Sequence, residues 1–414
     1  MRAIAGSWLI TGDAGDAPIA RGAVVLDADA RVVAVGAAAE LHGRYPDARW
    51  EEHAAVLLPG LVNAHTHLEL SALRGRAPGG RGFAAWVAGM LAAREQAAPE
   101  QAVEAIDAAI SELLAAGTAA IGEVSNTLAA VAPLASAPLL GCVFHEVFGL
   151  RRDTAEAMLV LADQRKAELA DWPGNLSYAP APHTPYTLHP TLLQELVARA
   201  RALGRRTSLH LCEHPAERAF LAHGGGPFAE FLAARGATPS DWAPPGQDPI
   251  RYAQRLGALT QDVICVHLAD ARDDEIAVLA SARAPVVLCP RSNLHIEVRL
   301  PPLLSLLAAG VRPGLGTDSL ASCPGLDVLD EARTLLERFP GVAPRVLIAM
   351  ATSFGADALG LAGHVGRLAP KLGPGVLAFE HGAAPPADPE RFVLGRAALR
   401  RQVLARPASV ATLH

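Results

Sequence analysis

The sequence predicts an α/β fold: a (β/α)8 barrel of the TIM type with a small β-sandwich built from the two terminal segments. Three observations carry that prediction. Between Leu61 and about Gly316, short β-rich runs alternate with longer Ala/Leu/Glu/Arg-rich stretches of helical period. Nearly every β-rich run ends on a polar residue, and in such barrels the C-terminal strand ends form the catalytic rim. The length of 414 residues accommodates one large domain and an appendage, since a barrel of this type needs about 250 residues.

Taken in order, Ala3–Ile10, Gly22–Leu26 and Arg31–Val35 read as short strands joined by Gly/Asp turns. The barrel strands follow as Leu61–His65, Thr118–Glu123, Leu140–Glu146, Leu176–Pro182, Thr207–Leu211, Val263–His267, Pro285–Cys289 and Val311–Thr317. Helical stretches separate them, among them Gln101–Ala116, Ala155–Ala170, Thr191–Leu203 and Asp273–Ser281. Val376–Phe379 and Arg391–Leu394 read as further strands beside a Pro/Gly-rich stretch. Residues 1–58 and 365–414 are therefore expected to meet in the sandwich, and residues 59–364 to form the catalytic barrel.

Hydrophobic residues make up 51% and charged residues 19%, ample for a core; with aromatics at 5%, Ala, Leu and Val must fill it. A net charge of −6 lacks the basic face that nucleic acid requires. Met1–Leu9 has no basic segment followed by an apolar core, and no apolar run reaches membrane-spanning length. The five cysteines (Cys142, Cys212, Cys265, Cys289, Cys323) are scattered singly without a CxxC. An odd, dispersed set reads as reduced thiols in a cytoplasmic protein. The expected partner is a small-molecule substrate, not nucleic acid or membrane, and homo-oligomer formation stays open.

The most informative segment is Asn63-Ala64-His65-Thr66-His67-Leu68-Glu69, directly after the apolar run Val56–Val62. Two histidines one residue apart at a strand end share a face, which suits a divalent transition metal. His210 in Leu209-His210-Leu211-Cys212-Glu213 can add a third imidazole from across the barrel, with Glu213 above the rim within reach of the reacting water. His267 ends the sixth strand, and Gly314-Leu315-Gly316-Thr317-Asp318 brings a carboxylate to the mouth. Three imidazoles and a carboxylate leave one position for water, the open arrangement of a catalytic zinc, which lowers the pKa of water towards about 7. Singly, His210 reads as a backbone-bonded core histidine, Glu213 as a solvated helix start, His267 as a packed edge histidine and Asp318 as a cap. Their order and their common strand-end positions favour the metal site. The chain has only two lysines, Lys166 and Lys371, neither on a strand end, which argues against a lysine-bridged pair of metals.

The order HxH, HxxE, H and the aspartate of Gly316-Thr317-Asp318 resembles the amidohydrolase superfamily, in the branch of cytosine, guanine and adenosine-derivative deaminases and chlorohydrolases. The resemblance runs from Pro59 to about Leu368. It implies that His65, His67, His210 and Asp318 bind one divalent metal, zinc first and ferrous iron as the alternative. It also implies that Glu213 shuttles protons, that His267 orients hydroxide and polarises developing charge, and that Asp318 doubles as base.

Ala181-Pro182-His183-Thr184-Pro185-Tyr186 resembles the segment that points a histidine at the purine in adenine-nucleoside deaminases, and Cys289-Pro290-Arg291-Ser292-Asn293 also resembles that branch. After the third strand, the tandem Arg151-Arg152 suits bidentate capture of a substrate carboxylate, or else is a solvated helix start. The stretch from Asn63 to Ser71 looks most like the aminodeoxyfutalosine deaminases of the alternative menaquinone route, whose substrate carries a benzoate. The expected reaction is hydrolytic deamination of a 6-aminopurine nucleoside with an acidic 5′ extension. S-adenosylhomocysteine/methylthioadenosine deamination is the runner-up, and triazine dechlorination and a metal-free scaffold are the remaining alternatives. The runner-up enzymes place an acid for the ribose soon after the HxH loop, whereas Arg74–Ala92 has none, which leaves Glu123 or Glu146 for that contact.

Overall fold

The computed structural model describes residues 1–169, 171–237, 242–395, 400–410 and 412–413. At the N-terminal end, β1 (Arg2–Leu9), β2 (Ile19–Ala20), β3 (Gly22–Leu26), β4 (Val32–Ala37) and β5 (Arg49–Pro59) precede the first barrel strand, β6 (Leu61–Thr66). The parallel strands continue as β7 (Thr118–Ser125), β8 (Leu140–Val147), β9 (Leu176–Pro182), β10 (Thr207–Leu211), β11 (Val263–His267), β12 (Val286–Leu288) and β13 (Gly314–Leu315), and β14 (Val376–Glu380) and β15 (Arg401–Ala405) end the series.

The parallel strands form two four-stranded sheets, β6-β7-β8-β9 and β10-β11-β12-β13, with helices in the connections. Every residue of β7, β8, β10 and β11 is buried, the pattern of parallel strands covered on both faces. Backbone hydrogen bonds tie the sheets to each other at both edges. Asp318 N–H donates to the His65 carbonyl at 3.0 Å, and His210 N–H donates to the His183 carbonyl at 2.9 Å. Both seams end in residues singled out by the sequence, so the hydrogen bonds that join the halves also fix the site.

The terminal segments meet in one seven-stranded mixed sheet, ordered β15-β14-β5-β1-β3-β4 with β2 on β1, and not in two separate sheets. β5 sits inside it, parallel to β1 and antiparallel to β14, and passes through Gly60 directly into β6. A Cβ on Gly60 would meet the Pro374 carbonyl at 2.4 Å and Ala119 Cβ at 2.5 Å, so only glycine allows this close crossing. The polar first half of β5, Arg49-Trp50-Glu51-Glu52-His53, hides it from a reading based on apolar alternation.

One predicted strand is corrected. Residues expected as a strand at Arg391–Leu394 form the helix Pro389–Val393. Asp388 caps it by accepting from Arg391 N–H at 2.9 Å, with Pro389 in the first turn, and the terminal strand is β15 instead. The eighth barrel strand is shorter than Val311–Thr317 because Pro313 has no N–H for the ladder. The expected helix Ala155–Ala170 is observed as Arg152–Glu168, and its last predicted residue, Ala170, lies outside the described residues. All five cysteines are buried and unpaired. No helix among the described residues is long and apolar enough to cross a membrane.

Candidate metal centre and substrate cavity

Strand geometry converges the predicted ligands. His65 is the penultimate residue of β6, with His67 just beyond the strand, while His210 lies on β10 and Asp318 follows β13. His67 Nε2 lies 3.2 Å from His65 Nε2 and 3.3 Å from His210 Nε2. Asp318 Oδ1 lies 3.5 Å from His67 Nε2 and 3.9 Å from His65 Nε2. Ligands at about 2.0–2.1 Å from a tetrahedral ion stand roughly 3.3–3.4 Å from each other, so these spacings fit a metal cage. The donor chemistry agrees. Burial, reinforced by neighbouring imidazoles, holds His65 and His210 well below the ordinary imidazole range, so both are neutral. His210 Nδ1–H donates to the His183 carbonyl at 3.0 Å, which commits Nε2 as a lone-pair donor. With Nε2 of His210 so committed, the cluster offers a lone pair towards the point where His65, His67 and Asp318 converge.

Asp318 is held with one oxygen free. Its Oδ2 accepts from Ser292 Oγ at 2.5 Å and Ser322 Oγ at 2.9 Å, while Oδ1 faces the histidines. Burial pushes this carboxyl up, but His67, His267 and the two hydroxyls outweigh it and keep the group below its usual range. Asp318 and His267 also take left-handed backbone angles, φ +59° and +77°. In non-glycine residues this costs of order 1–3 kcal/mol each and is characteristic of functional sites. No sequence signal announces it.

Glu213 behaves oppositely. Burial first, then the neighbouring Asp318 and Glu217 charges, push its carboxyl well above the usual range. Its Oε1 lies 3.7 Å from His267 Nε2. Asn293 Nδ2 donates to His267 Nδ1 at 3.2 Å, which leaves the ring proton on Nε2. Burial holds His267 down at about 4, so this imidazole is neutral. Behind Glu213, its N–H donates to Glu217 Oε2 at 3.0 Å. Glu217 N–H donates to His214 Nδ1 at 3.1 Å, and His214 Nε2–H then donates to Tyr186 OH at 2.8 Å. Ser322, Asn293 and this Tyr186–His214–Glu217 chain were not identified as supports from sequence: Asn293–His267 and Tyr186–His214 join residues 26 and 28 apart, and the local contacts of Ser322 and Glu217 lie in turns without periodicity.

Above the ligands opens a cavity of about 570 Å³, with His67, His210, Glu213, His267 and Asp318 on its floor. His183 lines it too, and its Nδ1 is engaged by Thr187 Oγ1 at 2.8 Å. Leu70, Phe83, Trp86, Phe148 and Phe228 supply apolar walls. Arg151 lines the cavity but is bonded to Asp153 through Nε at 3.1 Å and Nη2 at 2.8 Å; Arg152 opens the helix Arg152–Glu168 and does not line it. Of the two acids considered for ribose, Glu146 lines the cavity. Glu123 does not, its carboxylate being held by Thr66 Oγ1 at 2.6 Å and Leu68 N–H at 2.9 Å. Neither lysine lines the cavity, and Lys166 sits over the Trp172 ring at 4.4 Å.

The family model described as the amidohydrolase family matches residues 56–372. The aminodeoxyfutalosine deaminase of Deinococcus radiodurans is 33% identical over 340 residues, covering 80% of this chain and 79% of the relative. The 5-methylthioadenosine/S-adenosylhomocysteine deaminase of Moorella thermoacetica is 30% identical over 333 residues, covering 76% of this chain and 70% of the relative. Among solved structures, Helicobacter pylori aminofutalosine deaminase in complex with methylthio-coformycin superimposes with a TM-score of 0.84 at 24% identity, covering 95% of each chain.

Proposed function

This chain belongs to the amidohydrolase family, and from that premise we propose that it hydrolyses the 6-amino group of a purine nucleoside bearing an acidic 5′ extension, with 6-aminodeoxyfutalosine as substrate and futalosine and ammonia as products. The observation that carries this reading is a buried Glu213, its carboxyl pushed upward, beside the converging side chains of His65, His67, His210 and Asp318 at the base of an apolar cavity. Relatives named as deaminases of 6-aminopurine nucleosides support it.

His65, His67, His210 and Asp318 would hold one divalent metal, zinc by donor type. Such an ion, when bound, lowers the pKa of water towards about 7 and so supplies hydroxide at neutral pH. The protein's own groups do the rest. Glu213 gives its proton to the ring nitrogen beside C6, which makes C6 electrophilic. Asp318 Oδ1 accepts a proton from the attacking water, and His267 Nε2–H stabilises charge on the oxygen added at C6. Asp318 then passes that proton to the amino group; ammonia leaves as the C6 hydroxyl gives its proton to Glu213 and becomes the carbonyl, which restores both carboxyl groups. His183 contacts the purine through Nε2, the ring nitrogen its bond to Thr187 leaves over. Arg151 faces the extension, and Arg152 contributes to the charge of the same loop.

We assign this chemistry to residues 59–364 and an accessory role to residues 1–58 and 365–414. Buried thiols without a disulfide suit a reducing, cytoplasmic setting. A second reading, deamination of S-adenosylhomocysteine or methylthioadenosine, is favoured by the relative so named. Ammonia release by the metal-loaded protein from 6-aminodeoxyfutalosine, S-adenosylhomocysteine and methylthioadenosine, with chloride release from a chlorotriazine, separates the readings. The highest kcat/KM is expected on 6-aminodeoxyfutalosine; turnover of the chlorotriazine alone would contradict the deaminase reading.

A further inference from the structure

Two helices wall the cavity, Phe83–Glu95 and Pro227–Ala234. The first presents Phe83, Trp86, Met90 and Arg94 to it, the second Phe228 and, one residue past its end, Arg235. Spacings of three, four and seven residues put each set on one helix face. Both stripes begin beside the chemistry. Phe83 stacks on His214, the neighbour of Glu213, with ring centroids 3.9 Å apart. Phe228 packs edge-on against Tyr186 at 4.7 Å. Both stripes end in an exposed guanidinium.

At 1.5 Å rise per residue, Arg94 lies about 16 Å along the axis from Phe83, and Arg235 about 10 Å from Phe228. Among the described residues neither arginine has a carboxylate partner, and Arg235 rests only on the Phe231 ring, 4.9 Å from its centroid. Arg151, by contrast, already holds Asp153 with two bonds. An aromatic trench that starts at the reacting centre and ends in two cations without counter-ions is shaped for a flat apolar group carrying an anion at its far end.

We propose that Arg94 and Arg235 together bind the acidic end of the substrate and thereby set the length and charge of the 5′ extension that the enzyme accepts. The inference rests on the nucleoside-deaminase reading and sharpens it. An aromatic carboxylate fills the trench and pairs both cations. A neutral thioether leaves them without an anion, and an amino-acid extension brings an ammonium group up to them together with its carboxylate, with no net negative charge.

The test compares the metal-loaded parent with Arg94→Gln, Arg235→Gln and Arg235→Glu on two 6-aminopurine nucleosides. One carries an aromatic carboxylate on its 5′ extension, the other the methyl ester of the same group. Both side chains are exposed, so the substitutions leave the core intact. The acid-to-ester ratio of kcat/KM should fall about ten- to hundredfold in each Gln variant, through KM with kcat retained, and further in Arg235→Glu. An unchanged ratio in all three, with both nucleosides deaminated, overturns the anion site while the deaminase reading stands. Binding is read separately from quenching of tryptophan fluorescence by the two nucleosides. Arginine-dependent preference for the acid without any deamination keeps the anion site and removes the deaminase reading.

Discussion

Glu213 and Asp318 are both buried carboxyl groups on one cavity floor, yet their surroundings drive them apart. Among the described residues Glu213 has no hydroxyl or Lys/Arg partner and is pushed up; Asp318 has two hydroxyl donors and facing histidines and is kept low. In the mechanism we propose, that division supplies an acid and a base at one pH. Glu213→Gln keeps shape but removes the proton, so kcat should fall by roughly 10²–10⁴ with metal content unchanged; undiminished turnover in a metal-replete variant would remove Glu213 from the mechanism. Glu217 behind it is pushed up to about 8, by burial first. Unfolded, it ionises near its ordinary 4.5, so the folded state binds the extra proton between these values and stability is lost as pH rises across that window. Glu217→Gln cannot ionise, so its melting temperature relative to the parent should climb from pH 5 to pH 8. A flat difference would show that Glu217 does not hold a proton in the fold. At this scale the convergence of His65, His67, His210, Glu213, His267 and Asp318 was legible because strand periodicity and spacing constrain them. Arg151's pairing with Asp153 was not, since a short-range ion pair and a ligand contact look the same in sequence.

Among elements, the barrel strands from β6 to β11 were read nearly to the residue, because buried parallel strands are unbroken apolar runs bounded by turns. β5 and the Pro389–Val393 helix were not, because a half-polar strand and a five-residue capped helix carry little periodicity. The loop after β13 shows how tightly elements set the site. A Cβ on Gly316 would lie 2.5 Å from His65 Cβ and 2.8 Å from His65 N, atoms that cannot yield without moving the ligand. Gly316→Ala should therefore weaken metal affinity about 10- to 100-fold, as loss of ligand support does elsewhere, measured by competition with a chromophoric chelator. Wild-type affinity in this variant would mean that the ligand set tolerates a shifted β6.

On the scale of the whole molecule, the terminal sheet draws both ends of the chain onto the entrance to β6. Arg2 pairs with Glu51 at 2.6 Å and donates to the Leu404 carbonyl at 2.7 Å, while Arg401 pairs with Asp327 at 2.7 Å. The sequence indicated that the ends meet, but not that one continuous sheet joins them, since register between strands over three hundred residues apart leaves no local trace. What this architecture is inferred to serve is a single-metal hydrolytic site, and metal stoichiometry is where that claim is most exposed. Metal-free protein titrated with zinc, with ammonia release from the aminopurine nucleoside followed at each addition, should gain activity linearly and reach its plateau at one equivalent per chain. A plateau that requires two equivalents, or full ammonia release before any metal is added, would contradict the account.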